Sequence, residues 1–224
     1  MMKENNPDMK KQEREDILEL GSDITKTSKG NIYTMTVIGQ IEGHQVAPEN
    51  VKTTKYEHVL PKLAQIEYDE SIKGVLMIIN TVGGDVSAGL ALAEMVTSLS
   101  KPVVALIIGD CHSIGVPLVA AADYSFITPT STMIIHPVRM NGVIIGAQQT
   151  YDYFKLIQDR IAGFVAQHRN IPMKTIEKMM VKTGILTKDL GTILVGGECV
   201  EKKLVDCVGG ISDAYGYLRD MIEK

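Results

Sequence analysis

The apolar positions along the chain change period several times, and each change marks an element. From Asn31, NIYTMTVIGQI alternates β-branched and polar residues up to a glycine, the pattern of a strand that ends in a turn. After Pro48, the residues Val51, Val59, Leu60, Leu63 and Ile66 recur at helical spacing, and Pro61 is expected to kink or divide that helix. GVLMIIN, from Gly74 to Asn80, is a continuous apolar run of the length of a fully buried strand. DVSAGLALAEMVTSLS follows, a helix that Asp85 would cap and that good helix formers would propagate. PVVALIIG is a second buried strand, and VPLVAAADYSFITPTSTMIIHP reads as a helix followed by more strand. This alternation predicts right-handed crossover units and an α/β fold with a parallel sheet. Catalytic loops in such folds gather where strands end.

Composition narrows the function classes. A chain of 224 residues, 45% apolar and 22% charged, suffices for one domain with a substantial core. The net charge of −4, with no dense Lys/Arg stripe, argues against a nucleic-acid partner. Cys111, Cys199 and Cys207 are odd in number and lack paired metal spacing, so neither a disulfide framework nor a metal site is expected, and a reducing cytoplasm fits best. The first 22 residues are polar and charged, with no secretory h-region, and read as a flexible extension before a single domain over 23–224. No run approaches the ~18 apolar residues that a membrane helix needs, so no membrane insertion is expected.

Two loops fall at the strand ends, TVGGD at 81–85 and GDCHSIG at 109–115. In the first, the bare backbone of Gly83 and Gly84 ahead of a helix suits a developing oxyanion, and equally a tight turn. In the second, three reactive side chains stand in a row. Ser113 directly precedes the next helix, where a serine is presented as a nucleophile or simply caps the helix. His112 adjoins Ser113 and diverges from it, which makes it a poor base. His136, at the end of the apolar strand STMII, comes from a different element and is the better base, although a strand-end histidine is also a common structural residue. Cys111 reads as a small buried hydrophobe.

INTVGGDVSAG, then GDCHSIG, then an alanine-rich helix, then PTSTMIIHP resembles, in order and spacing, the proteolytic subunit of the Clp protease, from about Val37 to about Asp206. VGGD, DCHSIG and KDLGTILVGGECV are more similar to the translocation-enhancing branch of that family. The resemblance implies a ClpP/crotonase-like fold of repeated β-β-α units with a protruding handle helix at about 147–168. It implies peptide hydrolysis with Ser113 as nucleophile, His136 as general base, and the N–H groups of Gly84 and Ile114 as oxyanion hole, without cofactor or metal. It also implies self-association into rings, a heptamer or stacked heptamers, and through the branch a link to protein export. Strict counting back from Leu204 puts Gly191 in the slot of the family's aspartate. Asp189, two residues away, is the replacement, or else an ordinary solvated acid. Val82 stands where the family carries proline, and the polar extension leaves docking to an unfoldase ATPase open. Phe154, Ile157, Ile161, Phe164, Val165 and His168 share one helix face, which fits ring contact or core packing. Two other classes stand beside this reading: a weakly active or inactive scaffold in translocation, which the displaced aspartate supports, and a crotonase-type acyl-CoA enzyme, against which Ser113 with His136 argues; a Ser-Lys signal-peptide peptidase is disfavoured because no membrane anchor is expected.

Overall fold

A computed structural model of the chain describes Lys11, Ile17 and residues 21–139, 145–184 and 190–224. Most of the polar extension predicted over 1–22 therefore lies outside the described residues, as does Asp189. The described strands are β1 (Asp23–Thr27), β2 (Gly30–Glu42), β3 (Thr53–Lys55), β4 (Ile72–Gly84), β5 (Val103–His112), β6 (Tyr124–Ile127), β7 (Thr132–Ile135), β8 (Thr192–Val195) and β9 (Cys207–Val208). The helices are α1 (Tyr56–Tyr68), α2 (Val86–Thr97), α3 (Gly115–Ala120), α4 (Ala147–Arg169), α5 (Met173–Met180), α6 (Gly197–Glu201) and α7 (Ile211–Ile222).

The mixed α/β architecture follows from the apolar runs. The sheet runs β1-β2-β4-β5-β6-β9, antiparallel between β1 and β2 and parallel from β2 onward. One face, with Met35, Met77, Ile79, Ala105 and Ile107, packs on the helices that include α1 to α5. The other face, with Ile32, Leu76, Val104, Leu106 and Phe126, is covered by Ala214 and Leu218 of α7. Burial on both faces is why β4 and β5 read as unbroken apolar runs.

Three local expectations need correction. Gly39 does not end β2. The strand continues to Glu42 across a register shift at Gly39/Gln40, where Gly39 has φ +77 and a Cβ would run into the carbonyl of Lys52. Pro61 does not divide its helix, because α1 runs unbroken from Tyr56 to Tyr68 with Val59, Leu63 and Ile66 buried. Burial of that stripe outweighs the ~3 kcal/mol that an interior proline costs. Val51, grouped with that stripe by spacing, is exposed and lies ahead of β3.

Beyond Ile107 the sheet forks. Val104–Ile107 of β5 pair with β6, whereas Asp110, Cys111 and His112 pair with Thr132, Met133 and Ile134 of β7. β7 in turn pairs antiparallel with β8. The fork sets the ends of β4, β5 and β7 side by side.

Candidate active site

The TVGGD loop is an extension of β4 rather than a free turn. Thr81, fully buried, donates from Oγ1 to the Gly39 carbonyl at 2.5 Å and accepts the Gly83 amide at 3.1 Å. Sequence reading passed over this threonine. Its one signal was a hydroxyl in an apolar strand next to two glycines. Gly83 has φ +90, and a Cβ there would lie 2.6 Å from the Ser113 Cβ and 2.8 Å from the His112 carbonyl oxygen. Glycine is thus what allows the β4 backbone to touch the serine loop. The cap expected at Asp85 is present, its Oδ1 accepting the Ala88 amide at 2.8 Å.

Ser113 departs from its simplest reading. Helix α3 begins at Gly115 with Ile114 in the capping position and without a side-chain cap, so Ser113 stands one residue outside and does not cap it. Its φ of +57 is in the left-handed region, one of three such non-glycine values among the described residues. That conformation costs an L-residue about 1–2 kcal/mol, and strain of this kind concentrates at functional sites. The backbone is held there by the Ser113 amide on the Ile134 carbonyl at 2.8 Å and the Val116 amide on the Ser113 carbonyl at 3.1 Å. Ser113→Gly is expected to raise stability by up to about 1 kcal/mol, the strain relieved less the backbone entropy that glycine loses. Urea denaturation measures it, and a loss of stability would mean that the serine side chain holds the turn.

The two neighbours of Ser113 take other roles. Cys111 is fully buried, and burial pushes its thiol far up, with Cys199 and Asp110 adding to the effect. A thiol held protonated is a poor nucleophile. His112 Nε2 lies 2.8 Å from Thr132 Oγ1 and 3.3 Å from Asp110 Oδ1, and Thr132 itself donates to that carboxylate at 2.8 Å. Since the Thr132 hydrogen goes to Asp110, its oxygen accepts from His112, which fixes the Nε2–H tautomer. Burial lowers the basicity of His112, the proximity of His136 lowers it further, and Asp110 opposes both.

His136 follows β7. Its Nδ1 lies 2.7 Å from the Pro137 carbonyl oxygen. A carbonyl only accepts, so Nδ1 carries the hydrogen and Nε2 presents a lone pair, the form a general base needs. The proline after the histidine thus supplies an orienting group that the sequence did not suggest.

Gly84, Ser113, Ile114 and His136 line one cleft of about 150 Å³. Ile161 and Val165 of α4 and Ile176 and Met180 of α5 form its apolar wall, and Arg139 lies on its rim. The helix expected from near Ala147 therefore contributes to this cleft as well as to the core. His168, grouped by spacing with Phe154, Ile157, Ile161, Phe164 and Val165, is exposed, with its ring 4.3 Å from that of Phe164.

The Clp protease family model matches residues 25–210. Among similar proteins, the translocation-enhancing protein TepA of Halalkalibacterium halodurans is 48% identical over 94% of this chain and 82% of its own length. The ATP-dependent Clp protease proteolytic subunit 1 of Chlamydia pneumoniae is 29% identical over 65% of this chain and 81% of its own, and that of Chlamydia caviae 28% over 60% and 75%. With most of its length matched by the family model and by a relative at 48% identity, this chain belongs to the Clp protease family.

Proposed function

We propose that the chain is a serine endopeptidase of the Clp proteolytic-subunit type, with residues 23–224 as the peptidase domain. The observation that carries this reading is the shared cleft of Gly84, Ser113, Ile114 and His136, with Ser113 held at φ +57. His136 Nε2 takes the Ser113 Oγ proton as Oγ attacks the scissile carbonyl carbon. The amides of Gly84 and Ile114 receive the oxyanion. Collapse of the tetrahedral species breaks the C–N bond, and the imidazolium returns the proton to the leaving amine. Water, deprotonated by the same imidazole, then hydrolyses the acyl-enzyme. The apolar wall of the cleft accommodates an apolar substrate side chain beside the cleaved bond.

A fluorophosphonate probe is expected to label the wild-type protein and to leave Ser113→Ala unlabelled. Labelling that survives in that variant, or is mapped to Cys111, would overturn the assignment. Asp189 is proposed as the carboxylate that orients His136, on its position in the sequence. Asp189→Asn should then lower peptide hydrolysis by orders of magnitude. A rate near wild type would show that the Pro137 carbonyl holds the ring without it.

The remaining expectations rest on family membership. Helix α4 exposes Tyr151, Tyr153 and Leu156, apolar area suited to a handle that joins subunits, and assembly into heptameric rings, single or stacked, would enclose the serines. A link to protein export rests on the 48% identical relative named for translocation. Among the described residues no helix is long and apolar enough to cross a membrane. The chain is proposed to act in the cytoplasm, where its three cysteines stay free thiols.

A further inference from the structure

Both ladders of β4 slip at one residue. Against β2 the register shifts between Gly39 and Gln40, and the partner of Gly39 is Thr81. Against β5 it shifts between Ile79 and Thr81, where Thr81 partners Cys111. Past this point β2 continues beside β4, pairing Gln40 with Gly83 and Ile41 with Gly84, and Gly84 reaches the cleft.

The Thr81 hydroxyl stands at that slip, fully buried, and a buried hydroxyl needs partners. It has two. Oγ1 donates to the Gly39 carbonyl at 2.5 Å and accepts the Gly83 amide, two residues on, at 3.1 Å, the bond of an ST turn. The Asp85 amide goes to the Ile41 carbonyl at 2.9 Å. In a strand of a parallel ladder the amides of alternate residues face the same edge. Those of Gly83 and Asp85 are both taken up on the β2 side, so the Gly84 amide between them faces the opposite edge, where Ser113 stands. The methyl of the same side chain lies beneath the other half of the site. A Cβ on Gly115 would come within 2.6 Å of Thr81 Cγ2, so Thr81 also sets how closely the start of α3, beside Ile114, approaches β4.

We propose that Thr81 is a positioning residue: its hydroxyl holds the Gly83 amide back and thereby aims the Gly84 amide at the carbonyl oxygen of the substrate. The proposal rests on the reading of Gly84 as an oxyanion donor. Thr81 touches no substrate and acts through the orientation of a peptide group. Without Oγ1, a buried amide and a buried carbonyl each lose a partner, and the strand end must turn to replace them. A donor turned away costs most where negative charge has developed, so the loss falls on the transition state and not on substrate binding.

Wild type, Thr81→Val and Thr81→Ser, each as the full chain, test this. Valine keeps the methyl against Gly115 and removes the hydroxyl, whereas serine keeps the hydroxyl. On a fluorogenic peptide, Thr81→Val is expected to lower kcat by about 10²-fold. KM should change little, because the apolar wall of the cleft lies on α4 and α5. Thr81→Ser should restore most of kcat. A fall in thermal stability with kcat unchanged in Thr81→Val, or an equal loss of kcat in both variants, overturns the proposal. The second measurement is hydrogen exchange of the Gly83 amide, read by NMR on glycine-labelled protein. That amide is expected to be protected in wild type and Thr81→Ser and to exchange faster by about tenfold or more in Thr81→Val. A Gly83 amide unprotected in wild type overturns the proposal without recourse to any variant, as does exchange that the valine leaves unchanged. The exchange needs no cleavage. Absence of hydrolysis in all three proteins, with the Gly83 amide released only in Thr81→Val, counts against the peptidase reading alone.

Discussion

Alanine at Ser113 is expected to lower peptide hydrolysis by a factor on the order of 10⁶, with the fold unchanged. The reasoning is chemical: without Oγ there is no acyl-enzyme, and what remains is water attacking a carbonyl held near the Gly84 and Ile114 amides. Folding should survive because the turn at 113 is held by backbone bonds, from its amide to Ile134 and to its carbonyl from Val116, and alanine retains both. His136→Ala should cost a similar factor. The double variant should be no slower than either single one, because nucleophile and base act as a unit. Measured kcat/KM values that add up across the double variant would mean that the two side chains do not share a step.

Gly83→Ala carries the second largest effect, and through geometry alone. The new methyl would need the space of the Ser113 Cβ, 2.6 Å away, at a backbone φ of +90 that alanine resists. The turn that presents the serine, or the strand end that presents Gly84, must shift. A displacement of 1 Å at a reacting atom is worth about 10²-fold in rate, and misaligned oxyanion donors about 10²–10³-fold. The loss should appear mainly in kcat, since the apolar wall on α4 and α5 stands apart from Gly83. Activity near wild type would show that the two loops need not touch. Gly84→Ala makes a useful contrast. There the obstruction is the backbone of Ile41, so the β2–β4 ladder is strained and thermal stability should fall along with the rate.

The elements built from local rules were legible in the sequence. The runs at GVLMIIN and PVVALIIG are buried strands, Asp85 caps the helix it precedes, and the TVGGD and GDCHSIG segments meet. What escaped depends on partners distant in the chain. Gly39 looks like a turn glycine because nothing nearby announces that Lys52 will press against it. Pro61 looks like a breaker because the burial that outweighs it comes from packing on the sheet. The left-handed turn at Ser113 is held by a bond to Ile134, 21 positions later (134 − 113), and a serine carries no mark of that conformation. The pairing of β5 first with β6 and then with β7 is likewise invisible to periodicity, which reports faces and not neighbours.

That fork also bears on the order in which the protein becomes reactive. Ser113 and His136 are only 23 positions apart (136 − 113), and the β5–β7 ladder that aligns them closes over a short stretch of chain. Contacts of short sequence separation form readily during folding. The cleft wall, by contrast, comes from Ile161 to Met180, and β8 pairs with β7 only after Thr192 has been made. On the proposed reading, the nucleophile and the base are therefore made before the surfaces that choose what is cut, and Asp189 only after them. A newly made chain would hold its proposed nucleophile and base ahead of its selectivity.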